Sequence, residues 1–90
     1  MLPINPDVIS VQPLPEYRLL LEFSNGERKI FDATPYLSVG IFTGLKDPKA
    51  FAAAYVEYGS VEWPIGAGLS YNTLYIRGTP VDPLASKTVA

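Results

Sequence analysis

The sequence predicts a small α+β domain, and three features support this. An Asn-Gly pair at 25–26 separates two runs rich in β-forming residues, which is typical of a β-hairpin. Thr34-Pro35 and Asp47-Pro48 resemble helix starts, because Thr and Asp cap helices and proline suits the first helical position. Of the 90 residues, 48% are hydrophobic and 18% are charged, which suffices for one core.

The first three extended segments predict an antiparallel sheet. Val8–Leu14 is closed by Pro13 and Pro15 and suits an edge strand. Tyr17–Phe23 and Arg28–Asp32 flank the Asn-Gly pair, which predicts a two-residue type I′ turn. That turn pairs Leu20 with Phe31, on a face whose other residues are Arg18, Glu22 and Lys29. We expect the opposite face to form the core.

The second half of the chain predicts shorter elements. Lys49–Ala54 is an alanine-rich helical run, and Tyr55–Tyr58 with Ser60–Trp63 predict a second hairpin. A two-residue turn at Gly59-Ser60 would place Glu57 opposite Glu62, so we expect a longer loop or a shifted register. Ser70 can cap a short C-terminal helix over Tyr71–Arg77. We therefore expect one domain over residues 1–78 and a flexible tail over residues 79–90.

Composition excludes several classes of function. The chain has no histidine and no cysteine, so the commonest general base, any thiol nucleophile and the commonest zinc ligands are absent, and nine carboxylates remain for acid–base chemistry. The net charge of −2, with scattered basic residues, argues against direct nucleic-acid binding. No signal peptide or membrane span is evident, which predicts a cytoplasmic protein. We expect neither an enzyme nor a cofactor.

Two sets of residues are candidates for function. The apolar Leu20–Phe31 pair, rimmed by charges, resembles a small interface, although the N-terminal segment or the tail could instead cover it. Aromatic residues elsewhere suit either a partner or the core, and the candidate partner-binding set is Leu20, Phe31, Tyr36, Phe42 and Trp63. The alternative is a small-ligand or divalent-metal site that uses Glu57, Glu62 and Asp32, although solvated carboxylates are the more common outcome.

Several motifs together resemble a known family. They are Pro13-Leu14-Pro15-Glu16-Tyr17 and the strand to Glu27, then Phe31-Asp32, Asp47-Pro48, Phe51, Val61-Glu62-Trp63-Pro64-Ile65-Gly66-Ala67 and Leu74-Tyr75. In this order they resemble the bacterial family of unknown function numbered 2442, from about Asp7 to Arg77. The resemblance implies an α+β fold on an N-terminal three-stranded antiparallel sheet, and structural roles for Asn25, Gly26, Trp63, Pro64 and Gly66.

The resemblance also implies an accessory role without enzymatic activity. Such genes often stand beside that of another small protein, in an arrangement like a toxin–antitoxin pair. We therefore expect a protein-interaction module with a protein partner. We also expect a homodimer, formed through the Leu20–Phe31 face or through the edge of Arg28–Asp32.

Overall fold

The structure is a computed structural model that describes residues 4–81. In chain order, its elements are β1 (Val8–Leu14), β2 (Arg18–Phe23), β3 (Arg28–Asp32), two 3₁₀ helices (Thr34–Tyr36 and Gly40–Lys46), α1 (Pro48–Phe51), β4 (Tyr55–Glu57), β5 (Ser60–Glu62), β6 (Gly68–Leu69), α2 (Tyr71–Arg77) and β7 (Thr79–Pro80). A four-stranded antiparallel sheet has the order β1-β2-β3-β7, and a three-stranded sheet has the order β4-β5-β6. The predicted α+β class is confirmed, and each predicted sheet gains one short strand.

The first hairpin turns differently from the prediction. The Gly26 amide donates to the Phe23 carbonyl at 2.9 Å, and the Phe23 amide donates to Glu27 at 2.9 Å. Of the Asn-Gly pair, Gly26 alone has a positive φ, of 88°. The loop therefore has three residues, a type I turn followed by a glycine bulge, instead of the type I′ turn that needs positive φ twice.

One extra loop residue reverses the faces of β3. Leu19 pairs with Phe31, and Leu20 pairs with Ile30. The predicted Leu20–Phe31 pair is therefore wrong, because a one-residue slip moves every side chain of a strand to the other face. The slip buries the large Phe31 ring beside Leu19 and turns the smaller Ile30 outward. Burying the larger apolar side chain favours this register.

The second hairpin resolves the predicted clash of carboxylates. Glu57 pairs with Ser60, and Tyr55 pairs with Glu62. The two turn residues are Tyr58 and Gly59, with φ of 51° and 77°, so this turn has the positive φ values of type I′. The expected shift of register is confirmed, and it separates Glu57 from direct opposition to Glu62.

A run of aromatic rings joins the two sheets. In order of contact the rings are Tyr17, Phe51, Trp63, Phe42, Tyr36 and Phe31, with centroids 5.4 to 6.3 Å apart. Trp63 is buried, and its indole Nε1 donates to the Phe51 carbonyl at 2.9 Å. Such edge-on and offset contacts stabilise a core beyond the burial of area alone.

A buried lysine holds α2 against the four-stranded sheet. Lys29 lies on the core side of β3, with 8% of its side chain exposed. Its Nζ donates to the Tyr75 carbonyl at 2.5 Å and lies 3.7 Å from the centroid of the Tyr75 ring. A cation in the last turn of a helix satisfies a free carbonyl and interacts favourably with the helix dipole.

The end of the described chain covers one edge of the sheet. β7 pairs with Lys29 and Ile30, and the Val81 amide donates to the Arg28 carbonyl at 2.9 Å. Thr79 and Pro80, which the sequence placed in the tail, are therefore part of the sheet, and the β3 edge is not open for a partner along this stretch. The rest of the predicted tail, residues 82–90, lies outside the described residues. Within residues 4–81, no helix has the length and apolar character needed to cross a membrane.

Candidate interaction surface

The face of the four-stranded sheet that points away from the core carries an ordered set of side chains. We call it the outer face, and its residues are Ser10, Gln12, Leu14, Arg18, Leu20, Glu22, Arg28, Ile30, Asp32 and Thr79. Directly opposed residues on neighbouring strands share a face, and alternate residues along a strand share it too. The pairing of strands therefore determines this set without reference to side-chain rotamers.

The centre of the outer face is a grid of three cross-strand pairs on β2 and β3. Leu20 opposes Ile30 in the middle. Arg18 opposes Asp32 at one end, and Glu22 opposes Arg28 at the other. The two arginines lie on one diagonal and the two carboxylates on the other. An apolar pair with a charged rim is thus present, but Ile30 takes the place predicted for Phe31, and Arg28 and Asp32 take the place predicted for Lys29, which lies on the core side.

The described core lies on the opposite side of the sheet. The buried cluster takes Leu19, Leu21 and Phe23 from β2, together with residues of α1, α2 and the three-stranded sheet. Leu14, Leu20 and Ile30 are half-buried and do not belong to this cluster. An apolar pair that no core residue covers, within charged neighbours, is typical of an interface.

Local hydrogen bonds hold the charged row at one end of the grid. The Arg18 Nε donates to the Pro15 carbonyl at 3.2 Å. The Asp32 Oδ1 accepts from the Thr34 amide at 3.0 Å and from its hydroxyl at 2.8 Å. Restrained side chains lose less conformational entropy when a partner binds.

The other predicted partner-binding residues lie in or beside the core. Phe31 and Trp63 are buried, while Tyr36 and Phe42 are half-buried and stack between them. These four rings form the middle and one end of the aromatic run. Of the predicted set, Leu20 is therefore the residue that lies on the outer face.

The predicted carboxylate site does not form. Asp32 lies on the outer face of the four-stranded sheet, whereas Glu57 and Glu62 lie on β4 and β5 of the other sheet. Across residues 4–81, no group of three or more histidine, cysteine, aspartate or glutamate residues could hold a metal ion. Within these residues, the structure does not bring Glu57, Glu62 and Asp32 together as a metal site.

A cavity of about 280 Å³ lies beside the turn between β1 and β2. Its walls include Pro13, Tyr17, Pro48 and Phe51, and Glu16 is its charged residue. Glu16 and Tyr17 have φ of 67° and 60°, and the Tyr17 hydroxyl donates to the Lys46 carbonyl. Binding and catalytic pockets have several convergent polar groups, and this cavity lacks them. We assign it to the packing of the turn against α1.

The free end of the first hairpin has its own electrostatic contact with α2. The Tyr75 hydroxyl donates to Glu27 Oε1 at 2.5 Å, and the side-chain Nδ2 of Asn25 donates to the same oxygen at 2.6 Å. The Tyr75 hydroxyl, and then Asn25, hold the pKa of Glu27 below its ordinary value. The Glu27 carboxylate in turn raises the pKa of Tyr75. The contact links the hairpin tip to α2 and involves no residue of the outer face.

Comparison with known proteins identifies the family. The sequence profile described as "Protein of unknown function (DUF2442)" matches residues 8–80. The chain belongs to the DUF2442 family. The match covers all the described strands and confirms the resemblance seen in the sequence. No curated protein and no solved structure matches the chain.

Sequence reasoning missed one central residue of this DUF2442 surface. The two-residue turn predicted for Asn-Gly would place Ile30 on the core face, whereas the observed register places it on the outer face. The residue that could indicate the position of Ile30 is its neighbour Lys29. A lysine in a core position needs a hydrogen-bond acceptor, and the end of α2 provides one. That acceptor comes from a residue far along the chain, so the local sequence does not show it.

Proposed function

We propose that this domain is a non-enzymatic protein-interaction module of the cytoplasm that binds its partner through the outer face. The observation that carries the proposal is the grid on β2 and β3, with Leu20 and Ile30 between two rows of opposite charges. The apolar pair supplies area for burial, and the charges supply register and specificity.

The chemistry of the chain supports a binding role over catalysis. The sequence contains no histidine or cysteine. Within residues 4–81, the two groups with shifted pKa values are Glu27 and Tyr75, which bind each other at the exposed hairpin tip and do not line the cavity beside the turn between β1 and β2. Active sites usually gather perturbed groups in a cleft.

The partner that we propose is the small protein encoded by an adjacent gene, which this domain would neutralise in the manner of an antitoxin. This part of the proposal rests on the gene arrangement that the family resemblance implies. The outer face contributes the physical basis, since its charges suit a protein surface with the opposite arrangement of charges.

Co-expression with the adjacent gene product, followed by affinity capture of the tagged domain, tests this function. We expect the wild type to retain the neighbour and Leu20→Glu to lose it, because a carboxylate would be buried without a partner. Ile76→Glu is the matched control, since Ile76 lies on α2 with 66% of its side chain exposed.

Circular dichroism of both variants must show an unchanged fold. Retention by Ile76→Glu and loss by Leu20→Glu would support the outer face as the contact surface. Equal retention by wild type and Leu20→Glu, or no retention by any of the three proteins, would contradict the proposal.

A further inference from the structure

The charge pattern of the outer face is complementary to itself. Reading along β2, the grid has Arg18, Leu20 and Glu22, and along β3 it has Asp32, Ile30 and Arg28 beside them. Positive and negative groups therefore alternate around the four corners, and the face carries no net charge at these corners. Because the signs alternate in this way, the face can bind a surface on which each charge meets an opposite charge.

Consider two copies that lie face to face about a two-fold axis in the plane between their sheets. If the axis runs across the strands, Glu22 meets Arg18 of the second copy, and Arg28 meets Asp32 of the second copy. If the axis runs along the strands, Glu22 meets Arg28 of the second copy, and Arg18 meets its Asp32. Opposite charges meet in both arrangements, and the apolar pairs meet at the centre.

We propose that a second copy of this chain occupies the outer face, in a two-fold dimer with the sheets packed face to face. This inference rests on the proposed function, because it names an occupant for the same surface. Isologous pairing is the commonest closed arrangement of identical chains. Two sheets pack about 10 Å apart, a distance that arginine and glutamate side chains can span.

The size of the face sets the strength of the dimer. The outer face spans roughly 14 Å along the strands and roughly 14 Å across them, from the usual rise and spacing of strands. Stable complexes bury about 800 Å² on each partner, which is more than this face offers. We therefore expect a weak dimer that forms only at high protein concentration.

Two double variants test the charge pattern without changing the net charge. Glu22→Arg with Arg28→Glu reverses the charges in one row, and Glu22→Arg with Arg18→Glu reverses the charges along β2. The row variant makes like charges meet if the axis runs across the strands, but not if it runs along them. The β2 variant does the opposite. Neither variant touches Asp32, whose Oδ1 accepts hydrogen bonds from the amide and the hydroxyl of Thr34 at the start of the following 3₁₀ helix.

Sedimentation equilibrium of the full chain from about 10 μM to about 1 mM measures dimerisation, a range suited to a small interface. We expect a concentration-dependent dimer for the wild type and a rise of at least about tenfold in the dissociation constant of one double variant, with the other unchanged. The double variant whose dimer is weaker identifies the direction of the two-fold axis. Thermal unfolding serves as the check that both variants fold, since the β2 variant opposes like charges within its own sheet.

Three outcomes would overturn the inference: a wild type that stays monomeric throughout, a dimer that both double variants weaken, and a dimer that neither weakens. The proposed function fails differently, because its readout is capture of the adjacent gene product. If the wild type is monomeric and the Leu20→Glu variant no longer captures the adjacent gene product, the dimer is refuted and the interaction module is supported.

Discussion

Replacing Lys29 by methionine tests the register on which the outer face depends. Methionine keeps most of the apolar stem of Lys29 but removes the ammonium group that donates to the Tyr75 carbonyl at 2.5 Å. A hydrogen bond to a charged group contributes about 1.5–3 kcal/mol to stability, and the cation–π contact adds about 0.5–2 kcal/mol. Removing a buried ammonium also removes its desolvation penalty, which offsets part of the loss.

We expect Lys29→Met to lower the free energy of unfolding by about 1–2 kcal/mol, which lowers the melting temperature by roughly 10 °C in a domain of this size. Urea unfolding followed by the fluorescence of Trp63, the single tryptophan, measures it. Arg28→Met is the control, because Arg28 is exposed on the other side of the same strand, and should change stability by less than about 0.5 kcal/mol. Equal effects of the two substitutions would refute the reasoning, since Lys29 would be exposed in the register of a two-residue turn.

Three further predictions concern stability. Gly26→Ala should lower the free energy of unfolding by about 1 kcal/mol because of the φ of 88° alone, since no atom lies within 4 Å of the added methyl group. Gly59→Ala should lower it by more, because its methyl group would lie 2.6 Å from Asp7 Cγ. Urea unfolding compares them, and a larger loss at Gly26 would contradict the turn geometry. Trp63→Phe should lower the free energy of unfolding by about 2–4 kcal/mol, because side-chain volume is lost and the Phe51 carbonyl loses its donor. Circular dichroism measures the unfolding, and a loss of stability below about 1 kcal/mol would place Trp63 outside the core. Glu27, whose pKa is lowered from 4.5 by the Tyr75 hydroxyl, should stabilise the fold above that value and lose this contribution as the pH falls through its lowered pKa. Tyr75, whose pKa is raised from 10.0, should stabilise the fold below that value and lose this contribution as the pH rises through its raised pKa. Tyr75→Phe removes the hydroxyl, so the midpoint of urea unfolding should depend less on pH in both the acidic and the alkaline range. The same pH dependence in the variant as in the wild type would refute the contact.

The strands of the larger sheet could be predicted from sequence because their signals are local. Alternation in Arg18–Phe23, the proline-bearing Val8–Leu14 and the Asn-Gly pair all act within a few residues. The Ser70 cap of α2 is local in the same way, and its hydroxyl accepts from the Thr73 amide at 3.3 Å.

The register of β3 could not be predicted, because the choice between two turns depends on distant partners. Asn-Gly suits both a type I′ turn and a type I turn with a glycine bulge. Phe31 selects the second by stacking on Tyr36, with centroids 5.6 Å apart, and Lys29 selects it by reaching α2. For the same reason the sequence identified the apolar pair with its charged rim but named Phe31 where the structure places Ile30.

Methyl-selective nuclear magnetic resonance of the wild-type chain tests most directly whether the outer face is the contact surface. Spectra recorded across a concentration series, and again with the adjacent gene product added, report each leucine, isoleucine and valine methyl separately. The account predicts that the methyl signals of Leu14, Leu20 and Ile30 shift or broaden, while those of the exposed Val39, Ile41, Ile65 and Ile76 stay in place. Shifts confined to that second set, with Leu20 and Ile30 unchanged, would contradict it.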